Sequence, residues 1–261
     1  MYETLHADDE DGANLADLWI DNRSVAWSAE EVSAFCNALE GSWPSNIASL
    51  DSCEGRSIVQ GTLFHANDTG THIINSLWHG IPADANADKI WMPEGHSEGR
   101  VASAADEIVI DAHVVEALDL SLDDTITISA GSASLEFTLV GIGYHPLHVF
   151  MAPEGSLFPP EAGQYVVGYV SDSGMARLTN ASLGESNILL LDVDGTPSFD
   201  LPDTEAYEGG EIDEVKSLVT DALEAVALDG RIRDRGQNEP VEIMRQDLES
   251  CLLYTSDAAD E

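Results

Sequence analysis

The chain has 261 residues, of which 43% are hydrophobic, and a formal net charge of −39 at pH 7. That length allows one large domain or two modest ones, and the hydrophobic content excludes a wholly disordered chain. Acidic residues occur along the whole sequence, and only Lys89 and Lys216 are lysines. Such a surface repels phosphate, so the sequence predicts no nucleic-acid partner. Salt would screen its self-repulsion, which indicates a saline setting.

A βαβ-like unit is predicted at the start of the chain. Residues 15–20 are a candidate strand, and Ser28 and Glu31 have the spacing of a capping box that opens a helix. We expect Gly41 to end that helix. Its apolar face has helical spacing and consists of Val32, Phe35, Cys36 and Leu39.

The middle of the chain, residues 61–186, is predicted to be mostly β structure. Apolar runs separated by turn residues are typical of strands, and they occur at 108–110, 125–128, 135–142 and 165–170. One short helix, at 112–118, is expected to interrupt these strands.

A second βαβ-like unit is predicted near the end of the chain. Residues 187–191 form a short apolar strand, and a connector rich in glycine, proline and aspartate follows it. Residues 211–228 then have the pattern of an amphipathic helix, and a strand is expected to begin at Arg231.

The order of these elements predicts an α+β fold. Residues 1–60 and 187–250 would form one split α/β domain, with residues 61–186 as a β-rich insertion. Residues 251–261 match one reading frame of a common sequencing adapter. We therefore expect that this tail is not native and that the natural sequence continues past about Ser250.

The cysteines indicate the compartment. Cys36 and Cys53 are separated by a short loop, and no other cysteine occurs outside the tail. Such a pair favours a disulfide and an oxidising compartment, the alternative being two buried thiols. Three glycosylation sequons point the same way, at Asn22, Asn67 and Asn180. No apolar run approaches the ~18 residues of a membrane span. If the protein faces outside, we expect its membrane segments beyond the ends of this sequence.

The block 99–143 has the most specific pattern in the chain. It comprises a strand, a helical turn, a tight turn and a hairpin whose second strand ends at glycines. Its characteristic residues are Gly99, Arg100, Glu107, Ile110, Asp111, Asp124, Phe137, Val140 and Gly141. This order resembles the extracytoplasmic core domain of the FtsX-like and MacB-like ABC transporter permeases. Asp123 stands where that family usually has glycine, and aspartate tolerates a left-handed backbone better than most residues.

The resemblance implies two subdomains, one porter-like and one β-rich, on the outer side of the cell membrane. It implies no catalytic residue, no cofactor and no metal. The expected partners are a cytoplasmic ABC ATPase, reached through transmembrane helices outside this sequence, and a second permease copy. The domain would couple ATP-driven motion to the export, release or gating of a substrate. Such a mechanism needs packed interfaces with two arrangements rather than reactive side chains.

Two other classes of function stay open. The apolar strand that ends in Asp192 and Asp194 fits the nucleophile motif of haloacid-dehalogenase phosphatases, in which the first aspartate attacks phosphorus beside Mg²⁺. The ordinary alternative for this segment is a strand that ends in a polar turn. A secreted acidic binding module without an ATPase is the third class.

Histidines recur at 65, 72 and 79, and His145 and His148 form a further pair. Metal sites need converging ligands with supporting hydrogen bonds. Because a spacing of seven does not converge on one strand, we expect surface or packing histidines. The five tryptophans are expected to anchor the core or the contact between subdomains.

Overall fold

The chain folds into ten strands and four α-helices within the part that the structure, a computed structural model, describes. The described residues are 12–237 without 23, 68–69, 83, 132, 149–152, 154–155, 157–159 and 195–210. The predicted adapter tail at 251–261 lies outside them. The strands are β1 Leu18–Asp21, β2 Leu50–Asn67, β3 Gly70–Gly80, β4 Glu98–Gly99, β5 Glu107–Asp111, β6 Thr125–Ala130, β7 Ala133–Gly143, β8 Tyr165–Val170, β9 Ile188–Val193 and β10 Arg231–Asp234. The helices are α1 Ala29–Ser42, α2 Ala112–Leu118, α3 Asp172–Thr179 and α4 Glu211–Ala225.

Two interlocked split βαβ units form a four-stranded antiparallel sheet with the order β10-β1-β9-β2. Strand β9 pairs antiparallel with both β1 and β2, and β10 pairs antiparallel with β1. Each unit therefore leaves a gap that the other unit fills, as in ferredoxin-like folds. Helices α1 and α4 cover one face of this sheet. The buried residues of that core are Leu18, Ile20, Trp27, Phe35, Leu39, Leu189, Leu191, Val193, Val215, Val219, Ala222 and Leu223.

Strands β2, β3, β5, β6, β7 and β8 close into a six-stranded barrel, and β4 pairs with β7 outside the ring. Strand β2 pairs with β3 and with β6, and the ring continues through β8, β5 and β7 back to β6. Closure removes exposed strand edges, and one set of alternating side chains fills the interior. Trp78 is fully buried there against Gly61 and Gly168, where any Cβ would lie within 3 Å of its ring. Its indole N–H donates to the Ser129 carbonyl oxygen.

Strand β2 belongs to both parts. Residues 50–56 pair with β9 in the four-stranded sheet, and residues 57–67 pair with β3 in the barrel. The fold is α+β, as predicted. The division into residues 1–60 with 187–250 and an insertion at 61–186 stays a prediction.

Helix α1 begins as the sequence predicts. The Ser28 hydroxyl accepts a hydrogen bond from the Glu31 backbone N–H, and the Glu31 carboxylate accepts one from the Ser28 N–H. The predicted end was wrong by one residue, because the helix continues through Gly41 to Ser42. Without a left-handed residue to stop it there, the extended backbone of Trp43 ends the helix.

The prediction of only one helix in residues 61–186 was wrong. Helix α3 follows β8, and the Ser171 hydroxyl caps it by accepting from the Gly174 N–H. Its eight residues include glycine and threonine, which are weak helix formers. Burial of Met175 and Leu178 in the barrel core stabilises a helix that local sequence does not favour.

Cys36 in α1 and Cys53 in β2 form a disulfide between the helix layer and the four-stranded sheet. No helix among the described residues has the length and apolar character that crossing a membrane requires.

Removing the disulfide should lower stability markedly. The bridge closes a loop of 17 residues, so the double variant Cys36→Ala/Cys53→Ala should lose about 3 kcal/mol of unfolding free energy. Urea denaturation with and without reductant measures this. The variant should not respond to reductant, whereas the natural protein should. An equal reductant response, or none in either protein, would contradict a native disulfide.

Candidate functional site

The residues of the 99–143 block meet where β4 crosses β7. A Cβ on Gly99 would lie 2.2 Å from the Val140 carbonyl oxygen, and one on Gly141 would lie 2.2 Å from the Arg100 carbonyl oxygen. Gly99 also has a φ of +79°, which favours glycine. The two backbones can approach this closely only because both positions lack a side chain.

Arg100 and Glu107 fix the segment between β4 and β5. The Arg100 guanidinium donates to both carboxylate oxygens of Glu107, and the backbone N–H groups of Ser103 and Ala104 donate to the same carboxylate at 2.9 and 3.0 Å. The hydrogen bond from Arg100 has the largest effect, and together these bonds hold the pKa of Glu107 far below its usual range. The pair thus ties a loop to the barrel.

The other block residues also contact the barrel itself. Ile110 and Phe137 are buried in its core, Val140 packs on its outer side, and the Asp124 carboxylate accepts from the Ser121 N–H at 2.7 Å. Asp123 has a φ of +69°, so it adopts a left-handed conformation that glycine adopts without strain.

Asp111 links this block to a buried polar cluster. The carboxylate is fully buried, accepts from the Tyr169 hydroxyl at 2.7 Å and lies 2.6 Å from His113 Nδ1. The hydrogen bond to Asp111 raises the pKa of His113, although partial burial opposes it. Burial, followed by the charge of Asp111, raises the pKa of Tyr169.

Three further histidines converge beside Asp111. His79 from β3 lies against His145 and His148 from the turn after β7, with ring centroids 4.8 to 5.4 Å apart. The Nε2 atoms of His79 and His148 are 2.8 Å apart, and the His145 ring stacks on Tyr169. We call His79, His145 and His148 the histidine cluster.

The histidine cluster faces the segment that follows β3, residues 85–89, which we call the bracket. Leu147, in the turn after β7, packs against the apolar cluster that contains Ala87 of the bracket. The N–H groups of Asp88 and Lys89 donate to the carbonyl oxygens of Asn14 and Ala13, ahead of β1. The bracket therefore joins the barrel to the segment that enters the four-stranded sheet.

Side chains from both parts fix the bracket. The Asp88 carboxylate accepts from the Ala16 N–H and from the Trp19 indole N–H, both at 2.9 Å. Arg56 donates to the Ala87 carbonyl oxygen and pairs with Glu54 at 2.6 Å. A small cavity remains between these groups, lined by Trp19, Arg56, His79, Asp88, His145 and Leu190 among others. We call this meeting of barrel, bracket and sheet the joint.

The histidines of the joint are neutral at pH 7. Burial lowers the pKa of all three, and that of His148 falls to about 4. The charge of Arg56 further lowers the pKa of His79 and His145. Because the folded-state pKa of each ring lies below its unfolded value, the stability that the neutral rings contribute is complete above about pH 6.5 and decreases as the pH falls, for His148 through about 4.

The sequence did not reveal this convergence. We expected no convergence from a spacing of seven, yet the hairpin of β2 and β3 places His65 directly opposite His72. His79 meets His145 and His148 only because β3 and the turn after β7 lie at the same end of the barrel. The one signal in the sequence for this convergence was the position of His79 at the end of an apolar strand. Among the described residues, no group of three or more histidine, cysteine or carboxylate side chains has the geometry to hold a metal ion.

The phosphatase-like aspartates lie in the four-stranded sheet. Asp192 is 6% exposed, and its carboxylate accepts from the Asn14 side-chain amide at 2.8 Å. Burial raises its pKa to about 6, against the hydrogen bond from Asn14. Asp194 is exposed and lies 3.4 Å from the Ser49 hydroxyl.

The glycosylation candidates have different settings. The Asn22 side-chain amide donates to the Asp229 carbonyl oxygen. Asn180 is exposed and has the left-handed backbone conformation that ends α3. Asn67 ends β2, and its side chain lies outside the described part. Glycosylation at all three stays a prediction.

The chain matches no protein-family profile and no curated protein. Among solved structures it is similar to the periplasmic region of MacB from Actinobacillus actinomycetemcomitans, with 12% identity, 91% of this chain and 94% of that chain covered, and a TM-score of 0.47. It is also similar to the extracellular domain of the ABC-type transporter YknZ from Gram-positive bacteria. That match has 12% identity, covers 85% of this chain and 99% of that chain, and has a TM-score of 0.46. A third similar structure is a permease-protein domain from Porphyromonas gingivalis. That match has 10% identity, covers 89% of this chain and 97% of that chain, and has a TM-score of 0.43.

The chain resembles MacB-like periplasmic domains. The domains in these three structures are of the kind that the 99–143 block resembles. At these identities and TM-scores the similarity describes the arrangement of helices and strands and conveys no substrate.

Substitution at the glycine crossing should destabilise the barrel. Gly141→Ala should lower the unfolding free energy by roughly 1–3 kcal/mol, because its methyl group would overlap the Arg100 carbonyl oxygen. Gly41→Ala is the matched control, since nothing lies within 4 Å of a Cβ there. Chemical denaturation compares the two variants, and equal stabilities would argue against a steric requirement at the crossing.

Asp192→Asn should stabilise the protein in a pH-dependent way. The folded-state pKa of Asp192 lies above the unfolded value of 3.8, so its ionisation costs stability above pH 6, and that cost disappears as the pH falls. We expect a gain of roughly 1–3 kcal/mol at pH 8 that vanishes near pH 4. Thermal unfolding across this range is the measurement, with the exposed Asp194→Asn as control. A pH-independent gain would contradict a buried carboxylate.

Proposed function

We propose that this chain is the extracytoplasmic domain of an ABC transporter permease subunit of the FtsX or MacB type. In this role a separate cytoplasmic ATPase hydrolyses ATP, and transmembrane helices outside this sequence transmit the motion. The domain moves against a second permease copy or another partner, and so promotes substrate export, release or gating. It supplies no reactive side chain.

The observation that carries this proposal is the internal use of the 99–143 block. Gly99 and Gly141 permit the crossing of β4 and β7, and Arg100 with Glu107 secures the loop between β4 and β5. Asp111 holds Tyr169 and His113. The block residues thus maintain a shape, which is what a domain that transmits motion needs.

The division of the core also supports transmission of motion. The barrel and the helix-covered sheet have separate hydrophobic cores, and they share β2 and the joint. Packed parts that meet at a polar contact with two arrangements can move as rigid bodies. The Cys36–Cys53 disulfide supports a location outside the reducing cytoplasm.

The phosphatase alternative does not fit the sheet. Phosphatases of that class use the carboxyl edge of a parallel sheet, where ligands bind beyond the strand ends. Strand β9 instead runs antiparallel to both neighbours, and the Asp192 carboxylate is buried against Asn14. No contact among the described residues specifically favours a free-standing acidic binding module.

Location is tested by labelling exposed cysteines in the full gene product in intact cells. The variants Val25→Cys and Leu183→Cys place thiols at side chains that are 62% and 66% exposed. A membrane-impermeant maleimide should label both without lysis. A cytoplasmic protein labelled in parallel should react only after lysis, and the same behaviour of this domain would contradict the proposal.

Coupling to ATP is tested by spin-label distances in the full permease with its ATPase. We expect the distance between Leu183→Cys and Ile73→Cys, which is on the barrel hairpin, to change when ATP is trapped. The control pair, Val25→Cys and Leu183→Cys, lies beside the four-stranded sheet and should keep its distance. An unchanged barrel distance in an active complex, or the absence of any associated ATPase, would favour the binding module.

A further inference from the structure

The hairpin of β2 and β3 extends beyond the barrel. Among the described residues, β6 pairs with β2 at residues 62–64, and β8 pairs with β3 at residues 75–80. The hairpin continues past both neighbours, because its own ladder runs as far as Asn67 opposite Gly70. We call residues 65–67 and 70–73 the ribbon. Binding of a ligand to the ribbon therefore need not disturb the barrel core.

The ribbon carries two histidines on one face. His65 lies directly opposite His72 in the antiparallel ladder, and the pair Leu63 and Ile74 lies two positions further into the barrel. Because side chains alternate between the faces of a strand, His65 and His72 share the face on which Leu63 and Ile74 fill the barrel core. His72 is exposed and His65 is half-buried. The two imidazoles therefore leave the ribbon side by side, where the apolar interior of the barrel meets solvent.

The spacing of this pair suits a transition-metal ion. Residues directly opposite each other in an antiparallel pair have Cβ atoms roughly 4.5–5.5 Å apart. Two nitrogen ligands of tetrahedral Zn²⁺, each at about 2.0–2.1 Å from the metal, lie about 3.3 Å from each other. Rotation about the side-chain bonds can bring one ring nitrogen of each histidine to that separation. Imidazole suits Zn²⁺, Ni²⁺ and Cu²⁺, whereas Mg²⁺ and Ca²⁺ prefer oxygen ligands.

The charge of the chain favours a cation, and the ribbon favours a cation that binds nitrogen. A net charge of −39 raises the local concentration of counter-ions, but carboxylates alone do not select a transition metal. The histidine cluster of the joint offers fewer available nitrogens. His79 and His148 hydrogen-bond each other there, and Nδ1 of His145 accepts from the Leu147 N–H.

We propose that His65 and His72 form a binding site for a divalent transition-metal ion such as Zn²⁺. The ion bridges β2 and β3 through one ring nitrogen from each strand. Tetrahedral Zn²⁺ has four coordination positions, and no group of three or more metal-binding side chains with suitable geometry occurs among the described residues. Two positions therefore remain for water or for a donor from another molecule. The ion cross-links the ribbon, and this effect is independent of the proposed function.

Calorimetric titration of the 261-residue chain with Zn²⁺ tests the site. Excess Ca²⁺ in the buffer occupies carboxylate sites, so the remaining heat reports binding to nitrogen ligands. We expect one Zn²⁺ per chain. His65→Gln and His72→Gln should each weaken binding by at least about tenfold, the smallest loss typical even for a group that only supports a ligand. His96→Gln changes an exposed histidine outside the ribbon and should leave the affinity unchanged.

A histidine moved by one residue provides the matched control. His72→Gln combined with Thr71→His keeps the number of histidines but puts the second imidazole on the other face of the ribbon. This double variant should bind Zn²⁺ as weakly as His72→Gln alone. Position 71 lies directly opposite Ala66, and both residues are exposed. Adding Ala66→His to the double variant should therefore restore the binding.

Three results would overturn the site. The first is the absence of Zn²⁺ binding by the unaltered chain in excess Ca²⁺. The second is full affinity in the variant with His72→Gln and Thr71→His, because histidine content alone would then explain the binding. The third is a loss of binding in His148→Gln but not in His65→Gln, which would place the ion in the histidine cluster. None of these results bears on the location of the domain or on its coupling to ATP.

Discussion

The whole arrangement depends on β2, a strand of 18 residues that two hydrophobic cores share. Its first part completes the four-stranded sheet beside β9, and its second part closes the barrel between β3 and β6. Backbone hydrogen bonds fix its register on both sides, so neither part can slip without disturbing the other. Arg56 lies where the strand passes from one part to the other, and its side chain reaches the bracket.

A shared strand limits which motions remain possible. The backbone of β2 is continuous and paired on both sides of residue 56, so it keeps the two parts joined there. The joint supplies the second connection between them, made of side-chain and loop contacts instead of a strand ladder. Contacts of this kind break and re-form at lower cost than ladder hydrogen bonds among packed strands. The joint is therefore the part of the contact between barrel and sheet that no strand ladder holds.

Local patterns in the sequence predicted most helices and strands. Contacts between residues far apart in the chain determined the features that these patterns did not predict. The capping box at Ser28 and Glu31 and the bounds of α2 follow from neighbouring residues. Barrel closure depends on pairing residues 62–64 with 127–129, which no local pattern encodes. Helix α3 forms through burial rather than propensity, and the histidine cluster unites a strand with a turn 66 or more residues away. Long-range topology thus set both the barrel and the joint.

The charge distribution explains why so acidic a chain can keep buried polar contacts. Its scarce cations are used internally: Arg56 pairs with Glu54, Arg233 with Asp21, and Lys216 with Asp234. Salt screens repulsion among exposed carboxylates far more than it screens buried pairs. High salt should therefore relieve repulsion at the surface while leaving buried pairs such as Arg56 with Glu54 at the joint intact.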